Sequence, residues 1–280
     1  MIIYRIRNKE EYFNHKAKSK ATLSQHHHFL SSHTPEKEEK FFIPGYSYTA
    51  DQMVEFEVDY QHSGSSGIVN WRERVSCPLT YFNNRMRATF HLFDIEMGAY
   101  PDSKLYITEQ VTPIYKYFAD RFINLTGSEF IGEQIPWGAL NELGIRNEDL
   151  SRLTFQDNEF DGLISLDVLE HIPKYEESIK ECFRVLKPGG KMMWSVPFIA
   201  DHYKNSIRAE IIDGEIVHLQ PPEYHGDPLS DKGVLCFQHF GWEMLDQFRL
   251  SGFRDAYAMV FHSTKFGYLG GEQIVFMAIK

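Results

Sequence analysis

An α/β fold is predicted, because strand and helix patterns alternate in three separate stretches of the chain. The clearest is residues 160–198. GLISL (162–166) is a short apolar run of the buried-strand type and stops at Asp167. Residues 176–186 then place Ile179, Cys182, Phe183 and Leu186 on one face at spacings of three and four, which is helical periodicity. Lys187, Pro188, Gly189 and Gly190 supply a terminal cation and glycines free to take positive φ, so the helix ends there. Residues 192–196 form the next strand, giving a right-handed βαβ unit. A second alternation runs KLYIT (strand), VTPIYKYFADRF (helix), INLTGSEF (strand) from Lys104. The third is a helix over HFGWEMLDQFRLSGF, ended by Gly252, followed by strands DAYAMVFH and QIVFMAIK with FGYLGG between them. Ligands of open α/β sheets sit beyond the carboxyl ends of the strands. Asp167, Glu170 and His171 lie at such an end and form the first candidate site.

The remaining chain frames this core. Its 280 residues hold one full α/β domain and a smaller appendage. Residues 1–40 are polar and predicted irregular, and the run His26, His27, His28 has no second ligand cluster at metal spacing. Residues 41–60 carry β-type residues around PGYSY and predict a hairpin, and QHSGSSG (61–67) reads as a flexible connection. Residues 84–97 have helical spacing at Met86, Phe90, Phe93 and Met97. A turn at GAYPDS places the domain boundary near residue 100, giving an accessory region 1–100 and a main domain 101–280. Within the latter, residues 199–238 form an insertion in which IIDGEIV reads as a β-hairpin with a central Asp-Gly. A net charge of −10 argues against holding nucleic acid by bulk electrostatics. No apolar run approaches the roughly 20 residues that span a bilayer. Cys77, Cys182 and Cys236 are too few and scattered for a disulfide framework, so a cytoplasmic location is expected.

LDVLEHIP, followed by RVLKPGG and a strand ending in Pro-Phe, resembles the class I methyltransferases that use S-adenosylmethionine, and most of all the type 11 methyltransferase domain. The likeness covers residues 104–200 well and 239–280 in outline, and extends upstream through EDLSRLTFQDNEFD. It implies a Rossmann-like sheet, mostly parallel with an antiparallel last strand, S-adenosylmethionine as cofactor and methyl transfer to a small-molecule or sugar acceptor. Cys77, Pro78, Asn84, Arg85 and Arg87 also resemble a zinc-knuckle-like preface of some family members, but Thr80 stands where the second cysteine would be. One thiolate cannot make the tetrahedral site of structural zinc, so no metal is expected there. Arg85 and Arg87 would be either a cationic edge near the site or solvated surface. Two other readings are a cofactor-binding protein that has lost catalysis and a nicotinamide-dependent oxidoreductase. The absence of G-x-G-x-x-G argues against the second.

The resemblance carries roles onto particular residues. The turn after the first strand, YITEQVTP, has Thr108 and Glu109 at the cofactor position but no glycine, the largest departure from the family. Glu129, in GSEFIG, takes the place of the acidic residue that accepts both ribose hydroxyls; its bland reading is a surface glutamate. Asp149 with Leu150 matches the adenine-contacting position, against an ordinary N-cap or turn aspartate. Asp167 and Val168 match the wall beside the cofactor's methionine part, with Glu170 and His171 as acid–base groups or simply a helix start. In the insertion, PPEYHGDP alternates Glu223, His225 and Asp227 on a proline-stiffened chain. His225 is the candidate general base, since an unperturbed imidazole titrates near neutrality. The same segment could instead be a metal-binding loop with His239, or a turn-rich lid.

Overall fold

The computed structural model describes residues 1–61 and 67–280, so most of the connection predicted at 61–67 lies outside the described residues. The chain divides into two compact units: residues 1–6, 10–98 and 258–275, and residues 7–9, 99–257 and 276–280. One seven-stranded sheet has the order β1 (Ile2–Ile6), β15 (Asp255–Ser263), β16 (Tyr268–Ile279), β8 (Leu186–Ser195), β7 (Phe160–Leu166), β5 (Lys104–Ile107), β6 (Asn124–Gly127).

The first unit begins with β1 (Ile2–Ile6), α1 (Lys9–Lys18) and α2 (Lys20–His33), so the stretch predicted irregular is mostly helical. Its polar composition hides the reason. The helices are held by a few buried side chains, Tyr12, His15, His26 and Leu30, two of which are histidines. His15 pairs with Glu272, and the His26 ring nitrogen Nε2 lies 2.7 Å from the Gly270 carbonyl oxygen. Strands β2 (Phe41–Ser47) and β3 (Gln52–Val58) form the expected hairpin, extended by β4 (Val75–Ser76). Phe41, Ile43, Phe56, Val58, Val75 and Cys77 fill its core. Cys77 accepts a hydrogen bond from the Ser47 hydroxyl at 3.3 Å.

Helix α3 (Asn84–Glu96) starts where Asn83 accepts the Met86 amide at 2.9 Å. Its buried face includes Arg87 and His91. Arg87 is neither a cationic edge nor solvated: it is fully buried and donates to the Phe266, Val75 and Gly267 carbonyls at 2.7, 3.1 and 3.0 Å. Burial pulls its pKa down to about 10. Arg85 pairs with Glu73 at 3.1 Å. His91 stacks on Tyr48 with ring centroids 3.9 Å apart and shares a 3.0 Å hydrogen bond with the Tyr268 hydroxyl. Burial lowers its pKa to about 4, so the native state favours the neutral ring. Its contribution is full above the unfolded value near 6.5 and is lost as pH falls from there toward 4. A thermal melt series from pH 7.5 to 4 is expected to fall less steeply for His91→Asn, which removes the titrating ring, than for wild type. Parallel slopes would assign the acid sensitivity to other groups.

The second unit contains β5 (Lys104–Ile107), α4 (Pro113–Ala119), β6 (Asn124–Gly127), β7 (Phe160–Leu166), α5 (Tyr175–Val185) and β8 (Leu186–Ser195). Strands β6, β5, β7 and β8 are parallel neighbours, as the βαβ pattern predicts. The α5 face buries Ile179 and Cys182 completely, and strand β8 starts at once with the buried Leu186 rather than after the glycines. Gly189, at φ +79°, turns within the strand start, and its amide bonds the Lys280 carbonyl. Five short strands follow: β9 (Ser206–Ile207), β10 (Ala209–Ile212), β11 (Glu215–His218), β12 (Tyr224–Asp227) and β13 (Ser230–Leu235). The β10–β11 hairpin turns on Asp213 and Gly214, both at positive φ, as the Asp-Gly pair predicts. Then come β14 (Gln238–His239), α6 (Glu243–Leu250), β15 (Asp255–Ser263) and β16 (Tyr268–Ile279). The end of β16 pairs antiparallel with β8 and stacks Phe276 on Trp194.

Candidate active site

Strand order locates the candidate site. From β5 the chain moves outward to β6, then crosses back to β7 on the other side of β5, so the connections leave β5 and β7 in opposite directions. Such a reversal opens a crevice beyond the carboxyl ends of the two strands. The Thr108 hydroxyl bonds Ser165 across this seam at 3.2 Å. The loop after β5 is tied down hard. Glu129 Oε1 accepts the amides of Gln110 and Val111 at 2.6 and 3.0 Å, the Glu109 carboxylate receives the Thr112 hydroxyl, and Thr112 caps α4 by accepting the Tyr115 amide. A Cβ on Gly127 would meet the Tyr115 ring at 2.5 Å and the Glu109 carbonyl at 2.8 Å. The glycine that permits close backbone approach thus sits at the end of β6 instead of in the loop itself. Burial raises the Glu129 pKa against those two amides. Neither amide uses Oε2.

The segment after the loop is built from polar groups already in use. Asn147, fully buried, accepts the Ile131 amide and donates to the Gly132 and Ile135 carbonyls. Glu148 accepts Arg146 Nε at 2.8 Å and the Thr154 amide at 3.0 Å. Asp149 has the turn geometry of its simpler reading: Oδ1 takes the Ser151 amide and hydroxyl at 2.9 and 2.7 Å, and Oδ2 takes Arg152 Nε at 3.0 Å. Leu150 is buried beside it.

At the end of β7, Asp167 adopts φ +53°, a conformation uncommon for a non-glycine residue. It is held there by its amide on the Ser195 carbonyl and by the Ser195 hydroxyl donating to Oδ1 at 2.8 Å. Val168 leads into a short 3-10 turn at Leu169–His171. His171 Nδ1 lies 2.8 Å from the Leu235 carbonyl oxygen and must therefore carry the proton and donate, which leaves Nε2 3.8 Å from Glu170. Glu170 is fully buried, and among the described residues neither carboxylate oxygen has a hydrogen-bond partner.

The insertion brings further groups to this turn. In the β12–β13 hairpin Tyr224 faces Leu235 and His225 faces Val234, and the Cys236 amide bonds the Glu223 carbonyl at 2.8 Å. Directly opposed residues of an antiparallel pair share a face, as do residues two apart on one strand. Glu223, His225 and Cys236 therefore project together. His225 Nε2 lies 3.0 Å from Glu223 Oε1 and its Nδ1 3.5 Å from Glu170, while His239 Nε2 lies 3.1 Å from Glu223 Oε1. Arg208 sits 3.2 Å from Glu223 Oε2. Asp227 does not join; it accepts the Leu229 amide at the hairpin tip. Cys236, Glu170 and then Glu223 hold the proton on His225, pushing its pKa up to about 11 against the cost of burial. His239 is raised by the same sulfur and by Glu223. At His225, expected as a freely titrating base, the two ring nitrogens instead face the carboxylates of Glu223 and Glu170. Sequence reading named Glu223, His225 and His239 but passed over Cys236, whose partner is fixed only by the hairpin register.

The methyltransferase-domain family model matches residues 113–194, from the start of α4 to the end of β8. The chain is similar to the sterol 24-C-methyltransferase of Aspergillus fumigatus, with 29% identity over 124 residues that are 42% of this chain and 31% of that one. It is also similar to the ubiquinone biosynthesis O-methyltransferase of Coxiella burnetii, with 38% identity over 48 residues, 17% of this chain and 20% of the relative. It thus spans less than a third of the length of these curated relatives. A solved S-adenosylmethionine-dependent methyltransferase from Mesorhizobium loti aligns over 69% of this chain and 98% of its own at 14% identity, with a TM-score of 0.42. Among the described residues, no helix is long and apolar enough to cross a membrane.

Proposed function

We propose that this protein is an S-adenosylmethionine-dependent methyltransferase acting on a small-molecule acceptor, a sugar or metabolite oxygen before others. The observation that carries the reading is the crevice at the β5/β7 reversal, where Glu129, Asp149 and Asp167 fall within the segment that matches the methyltransferase-domain family and the Thr108–Glu109 loop lies just before it. The residues there suit the cofactor: Glu129 Oε2 offers one acceptor to a ribose hydroxyl, and the Thr108–Glu109 loop and the strained Asp167–Val168 corner form two walls. Asp149 and Leu150 would border the adenine, with Leu150 as the apolar surface, since both Asp149 oxygens are engaged. When bound, the cofactor supplies an activated methyl on a sulfonium, so the protein's work is positioning and exclusion of water. Glu170 and His171 shape the inner wall.

S-adenosylhomocysteine is expected to bind with a dissociation constant in the micromolar range or below. At a hundredfold excess over that constant, stability should rise by about 2.7 kcal/mol. Calorimetry with S-adenosylhomocysteine and NAD side by side checks this; heat only with NAD, or with neither, rejects the reading. The loop drawn down by Glu129 and Gly127 favours a second reading, a cofactor-binding protein without transfer. It predicts the same binding heat but no labelled methyl appearing in any acceptor of a hydroxyl- and amine-bearing panel.

A further inference from the structure

We propose that Glu223, His225, Cys236 and His239 bind one divalent transition metal of the zinc class, with Glu170 as the carboxylate that orients His225. The donors come from elements that the fold fixes relative to one another. Glu223 and Cys236 face each other across the β12–β13 ladder, His225 is two residues along from Glu223, and His239 lies in β14. The ligand atoms of Glu223, Cys236 and His239 all fall within 4.8 Å of one another. The His225 and His239 Nε2 atoms approach the same oxygen, Glu223 Oε1, at 3.0 and 3.1 Å. With zinc–nitrogen and zinc–oxygen distances of about 2.0–2.1 Å, neighbouring tetrahedral donors stand about 3.3 Å apart, so the side chains need only small adjustments.

The second observation is Glu170. A carboxylate with no exposed surface and no hydrogen bond among the described residues is costly. Its Oε1 lies 3.5 Å from His225 Nδ1, the nitrogen that a metal on Nε2 would leave as the proton carrier. A carboxylate behind a metal-bound imidazole is the arrangement that fixes the ring and raises its basicity. Arg208, at 3.2 Å from Glu223 Oε2, holds the other oxygen of that carboxylate in the same way. The other cluster, Glu170, His171 and His225, is the weaker candidate, because His171 Nδ1 is committed to the Leu235 carbonyl. One sulfur, two imidazoles and one carboxylate suit zinc over calcium or magnesium, which take oxygen donors. Four protein ligands make a closed site, so the metal pins the β12–β13 hairpin to β14 and to the turn carrying Glu170. The proposal does not depend on methyl transfer, and its readouts use no cofactor.

Elemental analysis of the purified full chain, after dialysis against excess Zn²⁺ and then metal-free buffer, should give one zinc per chain. Cys236→Ser and His239→Ala should lower occupancy at least tenfold, whereas His27→Ala with His28→Ala, exposed on α2, should leave it unchanged. Replacement by Co²⁺ should give a thiolate-to-metal charge-transfer band in wild type. That reads the sulfur ligand directly even if Cys236→Ser fails to fold. Trace metal only, in a protein folded by circular dichroism, would mean that the cluster is a thiolate–imidazolium network and overturn the site. So would full occupancy in folded Cys236→Ser, or a cobalt spectrum without the sulfur band.

Discussion

Arg87→Ala is expected to destabilise the chain by roughly 4 kcal/mol or more. The guanidinium is fully buried and, among the described residues, pairs with no carboxylate; it meets three main-chain carbonyls and the rings of Phe56 and Tyr268, at 3.9 and 5.6 Å. Removing it strands three acceptors, at about 1–3 kcal/mol for each that stays buried, and leaves a void where a long side chain stood. Against a usual total stability of about 5–15 kcal/mol, that is a large fraction. Arg87→Lys keeps a cation but not the planar fork that reaches Phe266, Val75 and Gly267 together, so it should fall between wild type and alanine. Urea unfolding read by circular dichroism measures both. A loss below about 1 kcal/mol for Arg87→Ala would mean that the carbonyls find water, and that the arginine is not the pin of this turn.

Arg87 also marks where sequence reading stops. A helix arginine reads as surface because that is where arginine mostly lies. Its partners at 266 and 267 are some 180 residues away, and nothing local announces them. The same holds for α1 and α2. Their polar stretches show no clear apolar face, and they are ordered through contacts such as His26 with Gly270 and His15 with Glu272. The stretches that were legible carry their cause locally. GLISL is buried on both faces of a parallel sheet and so reads as an unbroken apolar run. The α5 face repeats at three and four, and the Asp-Gly of the β10–β11 hairpin supplies the positive φ that the turn needs.

The candidate site is legible to the same degree. Its residues at strand ends could be found by pattern, because strand ends are where periodicity breaks and polar residues begin. What those residues do could not be, because it depends on which hydrogen bonds are already taken. Asp149 looks free in sequence and spends both oxygens on its own turn. His225 looks like a free base in sequence, yet its two ring nitrogens face Glu223 and Glu170 once β12 and β13 pair.

Glu129→Ala is expected to cost both stability and cofactor affinity, and the two losses test different oxygens. Oε1 gathers the Gln110 and Val111 amides, and hydrogen bonds to a charged group contribute about 1.5–3 kcal/mol each. Val111 is exposed enough for water to replace part of this, so a stability loss of about 2–3 kcal/mol is expected. Under the proposed function, Oε2 meets a ribose hydroxyl, and S-adenosylhomocysteine should bind at least tenfold more weakly to folded Glu129→Ala. Glu129→Gln separates the two roles. Its amide oxygen can still accept from the loop, so stability should largely return. Its amide nitrogen would donate where the carboxylate accepted, so affinity should stay low. Melting curves and calorimetry on the three proteins decide the matter. Loss of stability with unchanged affinity in the folded variant would make Glu129 a loop anchor only and place the ribose elsewhere. Loss of affinity without loss of stability would mean that the Gln110–Val111 loop does not need its carboxylate.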